Sequence, residues 1–376
     1  MKKAVLISCF DWYEKRLKPI REIFCKYGYM VHILTSDFSH IEKGKIQKRL
    51  TECEYIHVKA YHKNLSLKRV ASHQDFAKKV YGRLTEIQPD IIYVLLPPNM
   101  VAAACARYKT RHPAVKLVVD IIDLWPESIP LYFFRYTPFY LFWKQLRKKA
   151  IKKADRIITE CSLYQKIIES KLKSTKVTTL YLYKAIEDTT DLGIEKYKPI
   201  EGTLRLAYLG SINNIADLES IEEIVTVAVD RKLHVEVHVI GEGSSRRELL
   251  HMLECRGCEV MYYGKLFDER RKKQIISACD FAINLMKQAV QVGLTIKSID
   301  YLAYGVPLIN NLKGDTRKLI EKYKIGINYT GDAHMLLDII MMSDIIKLHE
   351  NAYACYQKYF TEEIFKDKVE KLVKSL

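Results

Sequence analysis

The sequence predicts an α/β chain of two doubly wound, parallel-sheet domains, and three observations carry that prediction. Short continuous apolar runs alternate with stretches of helical spacing, as in strands covered on both faces by crossover helices. A polar, non-periodic stretch at 183–202, with Gly193, Pro199 and Gly202, divides this alternation into two series. At 376 residues the chain exceeds one ordinary core and suits two.

The first series opens with AVLIS at 4–8, a run apolar enough to be buried on both faces. Leu17, Ile20, Ile23, Phe24 and Tyr27 then recur at helical spacing, Gly28 stops the helix, and Pro19 marks its first turn or a kink. Strands are expected at 30–35 and 55–58, a helix over 67–87, a strand at 91–95, then a further helix and a strand at 117–120. No Gly-rich loop follows the first strand, which argues against a dinucleotide site there. Lys15 and Arg16 read as a solvated helix face.

The stretch VDIIDLWPES at 119–128 sets Asp123, Trp125, Pro126 and Glu127 at a strand's carboxyl edge, where open parallel sheets bind ligands. Asp123 or Glu127 there could orient or deprotonate a hydroxyl; alternatively, Glu127 and Ser128 cap a helix and Trp125 packs the domain. Next comes an aromatic run, IPLYFFRYTPFYLFW, followed by the basic KQLRKKAIKKADR. Rings at headgroup level beside cations describe a membrane-surface element, with Tyr132, Phe133, Phe134, Phe139, Trp143, Arg147 and Lys148 in contact. A buried helix with a solvated basic face is the alternative. A strand at 157–159, a Ser162-capped helix over 163–172 and a strand at 178–182 end the series.

The second series begins with a strand at 204–209 and the tight loop Gly210-Ser211-Ile212-Asn213-Asn214 before a helix at 218–230. A strand at 234–240 leads to Gly241-Glu242-Gly243, and a strand at 260–263 leads to Gly264-Lys265 and a helix over 268–278. Glycines at such turns allow backbone N–H groups to approach a phosphate. A strand at 280–285 and a loop with Lys287 precede the most informative stretch, VGLTIKSIDYLAYGVPLINN at 292–311. There the loop Gly293-Leu294-Thr295 feeds a short helix at 296–304, Gly305 ends it, Pro307 prevents its resumption and a strand follows at 306–309. A helix N-terminus is an anion site because its first N–H groups lack partners, and Lys297 lies in that first turn. Asp300, three residues on, shares its face. An ordinary buried αβ unit with one ion pair is the alternative. Helices at 353–360 and 365–376 close the chain.

The net charge of +16 predicts attraction to nucleotide phosphates, anionic lipid or nucleic acid. No nucleic-acid motif accompanies it, so that class ranks last. The nine cysteines read as buried reduced thiols, and Cys255-Arg256-Gly257-Cys258 lacks the second pair a zinc site needs. The opening MKKAVLISCF reads as a strand and not a signal peptide, and no apolar run reaches the roughly 20 residues of a membrane span.

Two segments carry a resemblance. Lys297, Asp300, Tyr301, Gly305 and Pro307 resemble the K-x-x-E-Y-x-x-x-G-x-P donor motif of retaining GT-B glycosyltransferases, especially family 4 and its bacterial capsule and exopolysaccharide members. The D-L-W-P-E-S segment resembles part of those enzymes' acceptor domain. The family's pair of glutamates falls on Val292 and Asp300, so the first is missing and the second shortened. The resemblance implies a GT-B fold of two Rossmann-like domains facing a cleft. It places an acceptor domain at 1–185, a linker at 186–202, a donor domain at 203–360 and a terminal helix at 361–376 packing back on the first. It further implies an enzyme that transfers a sugar from a nucleoside diphosphate to a lipid-linked glycan hydroxyl; with the reduced thiols and the aromatic and basic runs, the expectation is a cytoplasmic, peripheral membrane protein. Configuration would be retained and no metal or other cofactor needed. Asp123, Glu127 and Lys297 would be catalytic. Gly210, Ser211, Asn213, Gly241, Gly243, Lys265, Lys287, Gly293, Leu294, Thr295, Lys297 and Asp300 would bind the donor, with no nucleic acid as partner. A non-hydrolysing nucleotide-sugar epimerase and a non-catalytic glycosyltransferase-like subunit are the alternatives.

Overall fold

The computed structural model describes all residues except 11–13, 41, 47–49, 64–65, 129–135, 169–175, 187–196 and 289–291. It separates into two compact units, Met1–Tyr181 with Phe365–Leu376, and Leu182–Ile364. The predicted linker lies largely in the undescribed residues 187–196.

The first unit contains β1 (Lys3–Ser8), α1 (Glu14–Lys26), β2 (Met30–Ser36), β3 (Cys53–Ile56), α2 (Leu67–Ile87) and β4 (Ile91–Leu96). It continues with α3 (Asn99–Arg111), β5 (Lys116–Ile121), α4 (Pro138–Lys153), β6 (Arg156–Thr159), α5 (Ser162–Ile168) and β7 (Val177–Thr179). Its seven strands lie in the order β3-β2-β1-β4-β5-β6-β7, every pairing parallel. Every residue of β4 is buried, because crossover helices cover both faces, and this is why the central strands read as unbroken apolar runs. The strand order reverses at β1 and β4, so this unit's crevice opens beyond their carboxyl ends.

The second unit contains β8 (Thr203–Leu209), α6 (Leu218–Asp230), β9 (His234–Ile240), α7 (Arg246–Cys255), β10 (Glu259–Gly264), α8 (Glu269–Ser277) and β11 (Phe281–Asn284). After these come α9 (Ile296–Ala303), β12 (Leu308–Asn310), α10 (Asp315–Tyr323), β13 (Gly326–Asn328), α11 (Ala333–Met342) and α12 (Ile345–Tyr359). Its six parallel strands run β10-β9-β8-β11-β12-β13 and reverse at β8 and β11. Leu206, Val237, Ile283 and Ile309 form the sheet side of its core, against Ile221, Val225 and Leu336. The sequence reading placed no element over α10, β13 and α11.

The last helix, α13 (Glu362–Lys374), packs on α1: Lys366 pairs with Glu22 at 2.8 Å, and Glu370 accepts from Tyr27 at 2.6 Å and Lys26 at 3.1 Å. Arg16 overturns one expectation. It is 3% exposed instead of solvated, because its guanidinium forks onto Asp120 of β5 and packs over Phe365. All nine cysteines are free, but they are not all buried as expected: Cys25 and Cys255 are exposed and Cys53 half-buried. Among the described residues no helix is long and apolar enough to cross a membrane.

Candidate functional site

In the second unit, three loops are tied together at the carboxyl edge. Lys287 N–H donates to Ile215 O at 2.9 Å, and Asn311 bridges Met286 and Asp217. Beneath them runs a register-matched amide ladder: Asn284 donates to Asn310 at 2.8 Å, and Asn310 to Asn328 at 3.0 Å. The ladder reaches the predicted helix, because Thr295 Oγ1 donates to Asn284 Oδ1 at 3.1 Å while accepting the Ser298 N–H at 3.1 Å as the N-cap of α9. The cap is thereby fixed to the sheet. Nothing local in the sequence announces these asparagines as a unit.

Tyr301 supplies a second tie. The β8–β11 ladder pairs only Leu206 and Ala207 with Phe281 and Ala282, which leaves the Leu209 N–H beyond the paired stretch. The fully buried Tyr301 hydroxyl accepts that N–H at 2.6 Å and donates to Ile283 O at 3.4 Å. Gly305, at φ +73°, ends α9 as expected, and the Val306 N–H closes back on Tyr301 O at 2.9 Å.

Lys297 sits on this rigid support. Its Nζ lies 5.1 Å from the Tyr208 ring centroid, and no carboxylate lies within ion-pair distance among the described residues. Desolvation lowers its pKa to about 8. The Ile296 and Lys297 N–H groups, first in α9, likewise have no backbone acceptor among the described residues. A desolvated cation beside open helix N–H groups is a receptor for an anion.

Several predicted donor residues have other occupations. Asp300 does not pair with Lys297; its carboxylate meets Lys184 at 2.9 Å, within a network that includes Glu269 and the Tyr304 hydroxyl. The Gly210 and Gly241 N–H groups are not open to a phosphate, since they donate to Ile240 O and Gly264 O at 2.9 and 2.8 Å. The glycines instead allow the two loops to approach: a Cβ on Gly241 would stand 1.9 Å from Gly210 O, and one on Gly243 2.0 Å from Ile212 O. Asn213 closes a local turn by accepting the Ile215 N–H at 3.1 Å. Ser211, Lys265 and Lys287 are exposed. Gly293 and Leu294 are buried, and Gly293 O accepts from Thr316.

In the first unit the D-L-W-P-E-S loop follows β5. Asn99 Nδ2 donates to Trp125 O and Trp143 O, both at 3.0 Å, tying the loop to α4. Glu127 is 6% exposed, and both its oxygens are held by Arg147, at 2.7 and 2.5 Å. The same pair removes Arg147 from the predicted membrane contacts, because it is 5% exposed. Asp123 is half-buried, and desolvation raises its pKa. Of the other membrane candidates, Phe139 and Lys148 are exposed and Trp143 half-buried against Trp125, whereas Tyr132, Phe133 and Phe134 lie outside the described residues.

One group among the described residues, His234, Glu236 and Glu259, has ligand atoms close enough to share a metal ion. His234 and Glu259 begin β9 and β10, at the end of the sheet opposite Lys297.

No protein-family model matches the chain, and a search of curated proteins finds no match either. Solved structures do match over the full length. Sucrose-phosphate synthase from Thermosynechococcus elongatus is 12% identical with a TM-score of 0.70, covering 100% of this chain and 99% of that one. The lipopolysaccharide outer core galactosyltransferase WaaB, in its apo form, is 14% identical with a TM-score of 0.69, covering 100% of both chains. A protein from Listeria monocytogenes assigned as a UDP-N-acetylglucosamine 2-epimerase is 9% identical at 0.62, covering 100% and 96%. At such identities the likeness establishes the fold: two parallel-sheet domains of the GT-B type.

Proposed function

We propose that the chain is a glycosyltransferase that moves a sugar from a nucleoside diphosphate to a hydroxyl of a lipid-linked glycan, with retention and without a metal. The observation that carries the reading is Lys297, a desolvated ammonium over Tyr208 in the first turn of a helix whose first two N–H groups have no backbone acceptor among the described residues, at the second sheet's carboxyl edge. There the diphosphate would be held, and the charge developing on it as the glycosidic bond breaks would be met by fixed donors. Lys287, exposed on the neighbouring loop, adds a second cation. Asp300 would act through Lys184 or offer its second oxygen to a ribose or sugar hydroxyl. In the first unit Asp123 is the acceptor-side carboxylate, and Glu127 with Arg147 positions the loop that carries it.

The proposed setting is a membrane surface on the cytoplasmic side, in cell-surface polysaccharide assembly, and helix α4 supports the membrane contact. Tyr136, Phe139, Leu141 and Phe142 are all more than half exposed at its start, and Lys144, Lys148, Lys149 and Lys152 are exposed along its length. The neighbour WaaB bears a galactosyltransferase name, and the Listeria protein's name keeps an epimerase reading in view. Incubation with a panel of labelled nucleotide-sugars, with and without bacterial lipid extract, separates them. Label passing into the lipid fraction supports transfer; an epimerised sugar formed without lipid supports the other reading.

A further inference from the structure

The carboxyl edge of the first unit holds further polar groups beside Asp123. Glu160 is the first residue beyond β6, and its N–H donates to Ile121 O on β5 at 3.0 Å. Asp123 follows β5 by two residues, so the two carboxyls stand on neighbouring strand ends. Asp120, fully buried below them, is saturated by Arg16 at 2.9 and 3.1 Å and by the Tyr93 hydroxyl at 2.6 Å. Arg16 is thus committed through Nε and Nη2, and it also donates to Leu180 O at 3.1 Å. The half-buried Glu160 carboxyl makes no hydrogen bond among the described residues.

Among the described residues, two buried atoms at the same edge are also without partners: Arg16 Nη1, on the guanidinium end turned away from Asp120, and Asn99 Oδ1, just past β4. Arg16 and Asn99 are each 3% exposed. Orphaned buried groups are rare in native proteins and mark places where water or a ligand completes the bonding. The charged and titratable groups facing Glu160 are Arg16 from α1, and Asp120 and Asp123 from β5 and its loop, with Tyr93 of β4 joined through Asp120. Desolvation dominates over the attraction of Arg16, and the two aspartates add to it, so the acid holds its proton up to about pH 8.

We propose that Glu160 and Asp123 form a two-carboxyl clamp on one hydroxyl of a carbohydrate ligand, one carboxyl accepting its hydrogen and the other donating to its oxygen. A hydroxyl is both donor and acceptor, and neighbouring carboxyls in unlike protonation states match it. The clamp rests on the glycosyltransferase reading, in which this unit takes the acceptor, and it gives that acceptor a specificity-determining contact.

Saturation-transfer NMR with methyl glycosides of glucose, galactose, mannose and N-acetylglucosamine, without nucleotide, tests it. The wild type binds at least one glycoside at pH 7, and binding falls roughly tenfold by pH 9, as the protonated fraction of an acid titrating near 8 does. Glu160→Gln, which still donates a hydrogen bond but cannot ionise, retains binding and loses the pH dependence. Glu160→Ala, checked for folding by circular dichroism, loses binding at every pH. Unchanged binding in Glu160→Ala, pH-independent wild-type binding, or no glycoside bound at all overturns the clamp. Nucleoside diphosphate titration of the wild type separates the failures: if nucleotide binds but no glycoside does, only the clamp falls, and if neither binds, the glycosyltransferase reading falls with it.

Discussion

The two units share one winding, yet their carboxyl edges are chemically opposite. The first is built of carboxyls, Asp120, Asp123, Glu127 and Glu160, two of them neutralised by buried arginines. The second is built mainly of amides and hydroxyls, Asn284, Asn310, Asn328, Thr295 and Tyr301, with the Asp217 carboxylate tied to Asn311 and one lysine ammonium that has no carboxylate partner among the described residues. Winding decides where a ligand can sit; side chains decide its charge. A carboxyl edge suits hydroxyls, and an amide edge crowned by a lysine suits a phosphate.

The contrast also concerns what holds each edge together, and it can be broken by mutation. Asp120→Ala leaves Arg16 buried and uncompensated, so chemical denaturation should show a loss of about 3–5 kcal/mol. Lys297→Ala should weaken nucleoside diphosphate binding by roughly 10- to 100-fold in calorimetry, the worth of a charge-assisted contact of about 1.5–3 kcal/mol, with little effect on folding. Asn310→Ala cuts the ladder on both sides and should cost about 1–3 kcal/mol of stability. A larger loss at Asn310 than at Asp120 would contradict the comparison.

The smallest effect is a pH dependence. Lys297 titrates near 8 in the folded protein against 10.5 for an ordinary lysine, so the unfolded chain binds the proton more tightly. Burying the charged form therefore lowers stability below pH 8, and that cost is relieved as pH rises from about 8 to 10.5. Thermal melts of Lys297→Met against the wild type should show this difference, of about 1 kcal/mol after solvent screening. A bound anion reverses the sign by favouring the protonated lysine, so nucleotide affinity should fall as pH rises through 8.

Much of the fold was legible in the sequence because its signals are local. Apolar runs marked both central strands, and Gly305 and Pro307 marked the end of α9. The position of Lys297 was legible for the same reason, in the first turn of a helix whose start a threonine caps. Long-range pairing was not legible. Arg16 meets Asp120 across 104 residues, so a side chain that composition assigned to a solvated face lies in the core. Nor does the sequence announce that Arg147, 20 residues on, occupies both oxygens of Glu127. The asparagine ladder spans gaps of 26 and 18 residues, and only strand register brings it together. Glu160 gave no signal, since a lone glutamate after a short strand is ordinary until its surroundings are known.

The most direct test of the central claim is a calorimetric titration of the purified protein with UDP, GDP, dTDP and CMP at pH 7, repeated with Lys297→Ala. Selective binding of one nucleotide that the substitution weakens at least tenfold is the predicted result. Binding of none of them, or equal binding by both proteins, would contradict a donor site built on Lys297.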